Sequence, residues 1–235
     1  MTENRDRLII ALDVNSSLQA QQIVQSVGDS ASTFKVGKQL FTAEGPQIVR
    51  DLVAAGKKVF LDLKFHDIPN TVSSAVRQAV ELRVAMLTVH ASGGSKMLKA
   101  AAEAAGDKTL VLAVTVLTSL SDEDLSEIGI AGNVQAQVLR LGALARASGI
   151  RGLVASAHEA RELRRELGED FAVVTPGVRP TGTEKGDQAR VLTPADALRA
   201  GASHIVVGRP ITEAANPATA AREILAELDG ALQLR

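Results

Sequence analysis

Short apolar segments alternate eight times with longer segments of helical periodicity, and this alternation constrains the fold more than any other feature of the sequence. Strands are predicted at residues 8–13, 33–36, 58–63, 86–90, 109–115, 152–155, 171–175 and 204–207. Helices are predicted at residues 17–27, 42–55, 70–82, 95–105, 133–147, 157–167, 194–200 and 217–232. Eight such units in 235 residues predict an α/β protein, a single (β/α)8 TIM-barrel domain over residues 1–235. An open, doubly wound sheet is the alternative, although no glycine-rich dinucleotide motif follows the first strand.

Composition excludes several classes of protein. The chain has no cysteine, which rules out disulfides, thiol catalysis and cysteine-based zinc sites. Aromatic residues make up 2% and the net charge is −1, so neither base stacking nor a basic surface for nucleic acid is indicated. The polar N-terminus does not resemble a signal peptide, and no apolar run approaches the length of a membrane span. We therefore expect a cytoplasmic protein without nucleic-acid or membrane partners.

Charged residues are expected on the inward face of three strands. Because side chains alternate along a strand, Asp62 and Lys64 share a face with Phe60, whereas the aliphatic residues between them face the helices. The same reasoning directs Asp13 and Lys35 inward at the ends of the first two strands. Barrel enzymes carry their active sites at this end of the barrel. Four charges of alternating sign therefore form a candidate active site, the alternative being that each charge merely ends its strand in solvent.

Asp67 follows the third strand, just before a helix entry at Pro69 and Asn70, with Asn70 as a candidate helix cap. Alone it would be an ordinary loop residue, but its nearness to Asp62 and Lys64 favours a functional role. Asp62 and Asp67 are suitable ligands for Mg²⁺, yet Lys64 between them would compete with the cation. No metal site is therefore expected. His90 could face the barrel mouth, but a structural role is favoured for it.

A candidate phosphate site lies near the other end of the chain. Gly208 and Arg209 follow the eighth strand, where a glycine backbone, a short helix and a guanidinium are suited to binding an anion. Barrels often bind phosphate after their seventh and eighth strands. The long polar loop after the seventh strand predicts a lid, with Arg179 and Gln188 as ligand contacts, the alternative being a flexible surface loop.

The sequence resembles the orotidine 5′-monophosphate decarboxylase family over nearly its whole length. The resemblance is carried by Ala11-Leu12-Asp13, Phe34-Lys35-Val36-Gly37, Asp62-Leu63-Lys64-Phe65-His66-Asp67-Ile68-Pro69-Asn70-Thr71, Val89-His90-Ala91-Ser92-Gly93-Gly94, Leu117-Thr118-Ser119, Thr175-Pro176-Gly177-Val178-Arg179-Pro180, Gly186-Asp187-Gln188 and Val207-Gly208-Arg209-Pro210-Ile211. Thr88 and Lys38 look unusual beside these motifs, but no site role is expected for either residue.

The resemblance implies a homodimer with shared active sites, no metal and no organic cofactor, and the last reaction of de novo UMP synthesis. The implied site residues are Asp13 and Lys35 for the ribose, Thr118 and Ser119 for the pyrimidine, Arg179, Gln188, Gly208 and Arg209 for the phosphate, Asp62 and Pro176 as further substrate contacts, and Asp67, Ile68 and Thr71 for the neighbouring subunit's site. Lys64 is the expected proton donor, with Asp62 beside the departing carboxylate and with Lys35 and Asp67 completing the charge array.

Two rival interpretations remain open from the sequence. A sugar-phosphate decarboxylase or aldolase would use the same Asp-x-Lys-x-x-Asp core with Mg²⁺, but such relatives place a glutamate on the second strand, where this chain has Lys35. A catalytically silent nucleotide-binding or scaffold protein is the other rival. A pure binding protein has no use for Lys64 between two carboxylates.

Overall fold

The computed structural model describes residues 2–180 and 192–232, and within them eight parallel strands close into a barrel. The strands are β1 (Leu8–Ala11), β2 (Thr33–Gly37), β3 (Lys58–Phe65), β4 (Met86–His90), β5 (Leu110–Val114), β6 (Gly152–Val154), β7 (Ala172–Thr175) and β8 (His204–Val207). Each strand pairs with its neighbours in chain order, and β1 pairs in parallel with β8. The predicted (β/α)8 barrel is therefore confirmed, and the open sheet is excluded.

Helices follow the strands in the order that the sequence predicts. They are α1 (Thr2–Arg7), α2 (Ser17–Val27), α3 (Lys38–Glu44), α4 (Gln47–Ala54), α5 (Pro69–Glu81), α6 (Gly94–Ala105), α7 (Asp122–Glu127), α8 (Val134–Ala147), α9 (Ala157–Leu167), α10 (Pro194–Arg199), α11 (Arg209–Thr212) and α12 (Pro217–Leu232). Among the helices so described, none is long and apolar enough to span a membrane.

Two details of the predicted helices are wrong. The segment predicted as one helix at 42–55 is two helices, because Gly45 adopts a left-handed φ of 64° and Pro46 has no N–H to continue the hydrogen-bond ladder. Asn70 is not a cap, since α5 begins at Pro69 with Ile68 as its N-cap residue. Proline is favoured at a first helical position, where its missing N–H has no helical partner to lose.

The barrel interior is apolar below its mouth. Six buried side chains from five strands form an inner cluster, which we call the barrel plug: Ile9, Ala11, Phe60, Leu112, Val174 and Val206. The alternate residues on the same strands, such as Ile10 and Leu61, pack outward in the larger cluster beneath the helices. The predicted inward and outward faces of β1 and β3 are therefore confirmed, and the plug provides a low-dielectric floor beneath the strand ends.

Strand β3 is irregular where its charged residues lie. Leu61 is paired with Leu87 of β4, but the next pair along the ladder is Phe65 with Val89, so the register shifts between them. Within this bulge Lys64 has a φ of 55°, a left-handed conformation that is uncommon outside glycine. The bulge extends β3 two residues beyond its predicted end and directs the Lys64 side chain toward Asp62.

Candidate active site

A continuous row of alternating charges crosses the carboxyl ends of the first three strands. Lys35 Nζ lies 2.8 Å from Asp13 Oδ1 and 3.9 Å from Asp62 Oδ2. Lys64 Nζ lies 2.8 Å and 2.9 Å from the two carboxylate oxygens of Asp62. Asp62 is thus held between two ammonium groups. Such pairing offsets the cost of removing these charges from water, because each partially buried ion has an oppositely charged neighbour.

A cavity of about 440 Å³ opens beside this row at the barrel mouth. Ala11 and Val206 of the barrel plug form part of its floor, and Asp13, Lys35 and Asp62 line one side. Ligand pockets of barrel enzymes occupy this position. The predicted contacts Pro176 and Gly208 also line the cavity.

Two arginines, Arg179 and Arg209, line the other side of the cavity together with Glu213. Burial lowers the pKa of the Arg179 guanidinium, the nearby charge of Arg209 lowers it further, and Glu213 opposes both effects. Arginine nevertheless stays protonated at neutral pH, so two like charges are held close together. An anion between them would relieve their repulsion. The fourth predicted phosphate contact, Gln188, lies outside the described residues.

The predicted residues after β3 are not among the described residues that line this cavity. Asp67 is exposed, and its Oδ1 accepts a 2.6 Å hydrogen bond from the backbone N–H of Ile68. Within the described part of the chain, Asp67 makes no ion pair. Ile68 is 67% exposed and Thr71 is exposed on the first turn of α5. The structure therefore does not bring these three residues to the charge row of their own chain.

The predicted pyrimidine contacts Thr118 and Ser119 lie in the loop after β5. Thr118 is half-buried and Ser119 is exposed, and neither is among the described residues that line the cavity. A bound ligand would have to extend past Asp62 to reach them.

His90 lies at the mouth end of β4, and its ring centroid is 5.3 Å from that of His66. Burial lowers the pKa of His90, and the neighbouring His66, Lys64 and Lys38 act in the same direction, whereas Asp62 opposes them. His90 is therefore a neutral imidazole at neutral pH. Across residues 2–180 and 192–232, no three histidine, aspartate or glutamate side chains form a metal-binding group. Asp62 lies between two ammonium groups, which makes it a poor cation ligand.

Two residues near the charge row were missed by the sequence reasoning. The Thr88 hydroxyl donates a 2.9 Å hydrogen bond to Asp62 Oδ1, a contact that the sequence did not lead us to expect. Gly37 leaves room for the ammonium, because a Cβ there would lie 2.9 Å from Lys35 Nζ and displace it. Strand alternation could have suggested Thr88, since it shares the inward face of β4 with Met86, which packs on the barrel plug.

Ionisable side chains gathered at the carboxyl ends of barrel strands are characteristic of (β/α)8-barrel enzymes, and the fold and site assign the chain to that class. The chain belongs to the orotidine 5′-phosphate decarboxylase / HUMPS family, whose model matches residues 6–224.

Individual relatives agree with this assignment. A curated orotidine 5′-phosphate decarboxylase of Sodalis glossinidius is 52% identical over 225 residues, covering 94% of this chain and 89% of that protein. The one of Moorella thermoacetica is 50% identical over 234 residues, covering 96% and 93%. The crystal structure of orotidine 5′-phosphate decarboxylase from Lactobacillus acidophilus superposes with a TM-score of 0.86 at 39% identity, covering 95% of this chain and 99% of that one.

Proposed function

We propose that the chain converts orotidine 5′-monophosphate to UMP and CO2, the last step of de novo pyrimidine synthesis, in the cytoplasm. The observation that carries the proposal is the Lys64 ammonium bonded to both oxygens of Asp62 beside a cavity whose far side holds two arginines. Names of relatives about half identical to the chain support the same reaction. The reaction breaks a carbon–carbon bond and leaves an electron pair on ring carbon C6.

Lys64 is the proposed proton donor. C6 has no conventional electron sink, so negative charge there must be stabilised electrostatically by a positioned cation. The Lys64 ammonium would face C6 as CO2 departs, and one N–H proton would then pass to the C6 electron pair to give UMP. Lys64 is left as a neutral amine and takes a proton from water before the next turnover.

Asp62 has two proposed roles beside Lys64. Its bidentate contact fixes the ammonium, and its negative charge would lie near the carboxylate of the substrate. Two like charges about 4 Å apart repel by about 4 kcal/mol at an effective dielectric constant near 20. That repulsion ends when the substrate carboxylate leaves as CO2. Lys35 stabilises Asp62 from the opposite side and, with Asp13, would bind the ribose hydroxyls.

Of the remaining proposed substrate contacts, Pro176, Arg179, Gly208 and Arg209 line the cavity, and the others are supported by the family resemblance. Arg179, Arg209 and the backbone at Gly208 would bind the phosphate together with Gln188, while Pro176 contacts the nucleotide and Thr118 and Ser119 bind the pyrimidine. Phosphate binding lies far from C6. Its binding energy can therefore close the site and raise the rate at the reacting carbon.

We further propose that the enzyme is a homodimer in which Asp67, Ile68 and Thr71 complete the partner's site. The exposure of Ile68, and the absence of Asp67 from the ion pairs of the charge row among the described residues, support this arrangement. An apolar side chain that is two-thirds exposed is a suitable contact for a second copy. Asp67 would then bring a second carboxylate to the partner's Lys64.

The decisive experiment mixes the purified chain with orotidine 5′-monophosphate in EDTA and follows ultraviolet absorbance and UMP formation. We expect UMP and CO2 in equal amounts. Lys64→Ala should lose nearly all turnover, by a factor of about 10³ or more, while still binding UMP in calorimetry. Lys57→Ala is the matched control, because that lysine lies at the opposite end of the barrel, where it donates to Gly28 O. No conversion by folded wild-type protein would overturn the proposal.

The same assay separates the sugar-phosphate rival. An Mg²⁺-dependent enzyme would lose activity in EDTA, whereas the proposed reaction would not. Lys35 occupies the second-strand position at which that rival needs a metal-binding glutamate, and its ammonium lies 2.8 Å from Asp13. The geometry therefore supports the decarboxylation of the nucleotide.

A further inference from the structure

Thr88 lies on β4 opposite the bulge of β3, and its side chain is fully buried. Its neighbours on β4 are Leu87 and Val89. Leu87 pairs with β3 before the register shift, and Val89 pairs with β3 after it. The three bulged residues Asp62, Leu63 and Lys64 therefore face this single position.

The Thr88 hydroxyl makes two hydrogen bonds to two different residues of the charge row. It accepts a 2.9 Å hydrogen bond from the backbone N–H of Lys64 and donates a 2.9 Å hydrogen bond to Asp62 Oδ1. A hydroxyl has one proton to donate and lone pairs to accept, so both bonds can exist together. The bond to Asp62 is charge-assisted and hence stronger than one between neutral groups.

These two bonds connect the strained backbone of Lys64 with the carboxylate that holds its ammonium. Lys64 has a φ of 55°, a conformation that persists where surrounding contacts enforce it. The bond from its N–H gives that backbone donor a partner within the irregular part of the ladder. The bond to Oδ1 fixes the rotation of the Asp62 carboxylate, which in turn receives the Lys64 ammonium on both oxygens.

We infer that Thr88 is a positioning residue for the reaction: its hydroxyl fixes the Lys64 ammonium through Asp62 and through the Lys64 backbone. This inference rests on the proposed function, because it assumes that Lys64 acts on the substrate. Thr88 itself does not line the cavity, and its hydroxyl bonds to the Asp62 carboxylate and the Lys64 backbone and not to the ammonium, so its expected effect is on geometry and not on substrate binding.

The test compares Thr88→Val, which keeps the shape but removes the hydroxyl, with Thr88→Ser, which keeps it. Thr88→Val should lower kcat for orotidine 5′-monophosphate by about 10- to 100-fold while KM and the Kd for UMP change by less than about threefold. Thr88→Ser should retain kcat within about threefold of wild type. Thr88→Ala serves as a second hydroxyl-free variant if Thr88→Val does not fold.

The matched control is Thr109→Val, which removes another buried hydroxyl bond, from Thr109 to Val84 O, at the opposite end of the barrel. It should leave kcat unchanged. Thr88→Val with normal kcat and merely a lower unfolding temperature would show a structural role and overturn the inference. Equal losses in Thr88→Ser and Thr88→Val would overturn it as well.

A crystal structure of Thr88→Val tests the inference independently of turnover. We expect the Asp62 carboxylate to rotate and Lys64 Nζ to leave at least one of its oxygens. An unchanged Asp62–Lys64 pair in the variant would overturn the positioning role even if the wild-type enzyme is active. Wild-type protein that fails to convert the nucleotide would instead count against the proposed function, so the two failures are distinguishable.

Discussion

At the scale of single residues, Lys35 shows how closely the charge row depends on its surroundings. Its side chain is 11% exposed, and its ammonium serves both Asp13 and Asp62. Removing such a cation would leave two carboxylates facing each other at the mouth. The space that lets the ammonium reach both partners exists because residue 37 has no side chain.

Gly37→Ala should therefore reduce activity without unfolding the protein. The added Cβ would lie 2.9 Å from Lys35 Nζ and 3.1 Å from Asp13 Oδ1, so the ammonium must move. Because Nζ ends a flexible chain, unfolding free energy in urea should change by less than about 1 kcal/mol, whereas kcat/KM should fall about tenfold. Gly230→Ala in α12, where a Cβ meets open space, is the control and should leave kcat/KM unchanged. Wild-type activity in Gly37→Ala would contradict the argument.

Charged residues of the row were predictable from the sequence, whereas the contacts by which Gly37 and Thr88 arrange them were not. Strand alternation alone directs Asp62, Lys64 and Lys35 to one face. Gly37 acts through a missing atom, and Thr88 acts through two hydrogen bonds across strands. Neither property has a local signature, because both depend on the register between neighbouring strands.

At the scale of elements, the β3 bulge determines where Lys64 points. A left-handed φ costs an ordinary residue about 1–2 kcal/mol, and glycine little. Lys64→Gly should therefore be more stable than Lys64→Ala by about 1 kcal/mol in urea unfolding, although glycine is normally the less stable residue in a strand. Both variants lack the amine and should be inactive.

Arg83 offers a matched comparison, because it has a φ of 58° in a turn away from the site. Arg83→Gly should likewise be more stable than Arg83→Ala, and both should retain full activity. If Lys64→Ala proved more stable than Lys64→Gly, residue 64 of the bulge would not be held in the left-handed conformation in solution.

The order of elements was predictable and several of their limits were not. Strand β8 has its predicted bounds, because its apolar run is flanked by polar and glycine residues. Helix α7 was missed despite a capping box between Ser121 and Asp124, since six residues are too few for helical periodicity. The bulge in β3 was also missed, because an alternating pattern reads the same whether or not the partner strand shifts register.

At the scale of the whole molecule, shared active sites would have a measurable signature. Lys64→Ala and Asp67→Ala should each be nearly inactive alone, because each removes one charge from every site. Mixed in equal amounts and allowed to exchange subunits, they should recover roughly a quarter of wild-type activity, since half of the dimers then contain one intact site. Mixing Lys64→Ala with Lys35→Ala is the control and should recover nothing, as both residues belong to one chain's row. No recovery in the first mixture would contradict a shared site.

His204, at the end of the barrel opposite the site, should make the free energy of unfolding fall in acid. Burial lowers the pKa of His204 to about 4, and the nearby Arg7 acts in the same direction. In the unfolded chain the imidazole has its ordinary pKa of 6.5, so the stabilisation from neutral, buried His204 is fully present above that pH. It is lost as pH falls toward 4, because the unfolded chain then binds a proton that the folded chain does not. It amounts to about 3 kcal/mol at most.

Urea unfolding between pH 7.5 and 4 measures this loss. His204→Gln should flatten the fall in unfolding free energy with decreasing pH. His158→Gln removes an exposed histidine and should leave the wild-type slope unchanged. Equal slopes for wild type and His204→Gln would show that another group is responsible.

The barrel plug also limits how protons travel. Its six apolar side chains close the barrel beneath the charge row, so water reaches the row from the mouth, the opening through which the proposed substrate would enter. On the proposed mechanism, a bound nucleotide therefore blocks the route by which the spent amine is recharged. Lys64 must be protonated before each nucleotide binds and protonated again after each product leaves. The enzyme would therefore deliver one proton for each nucleotide that it binds.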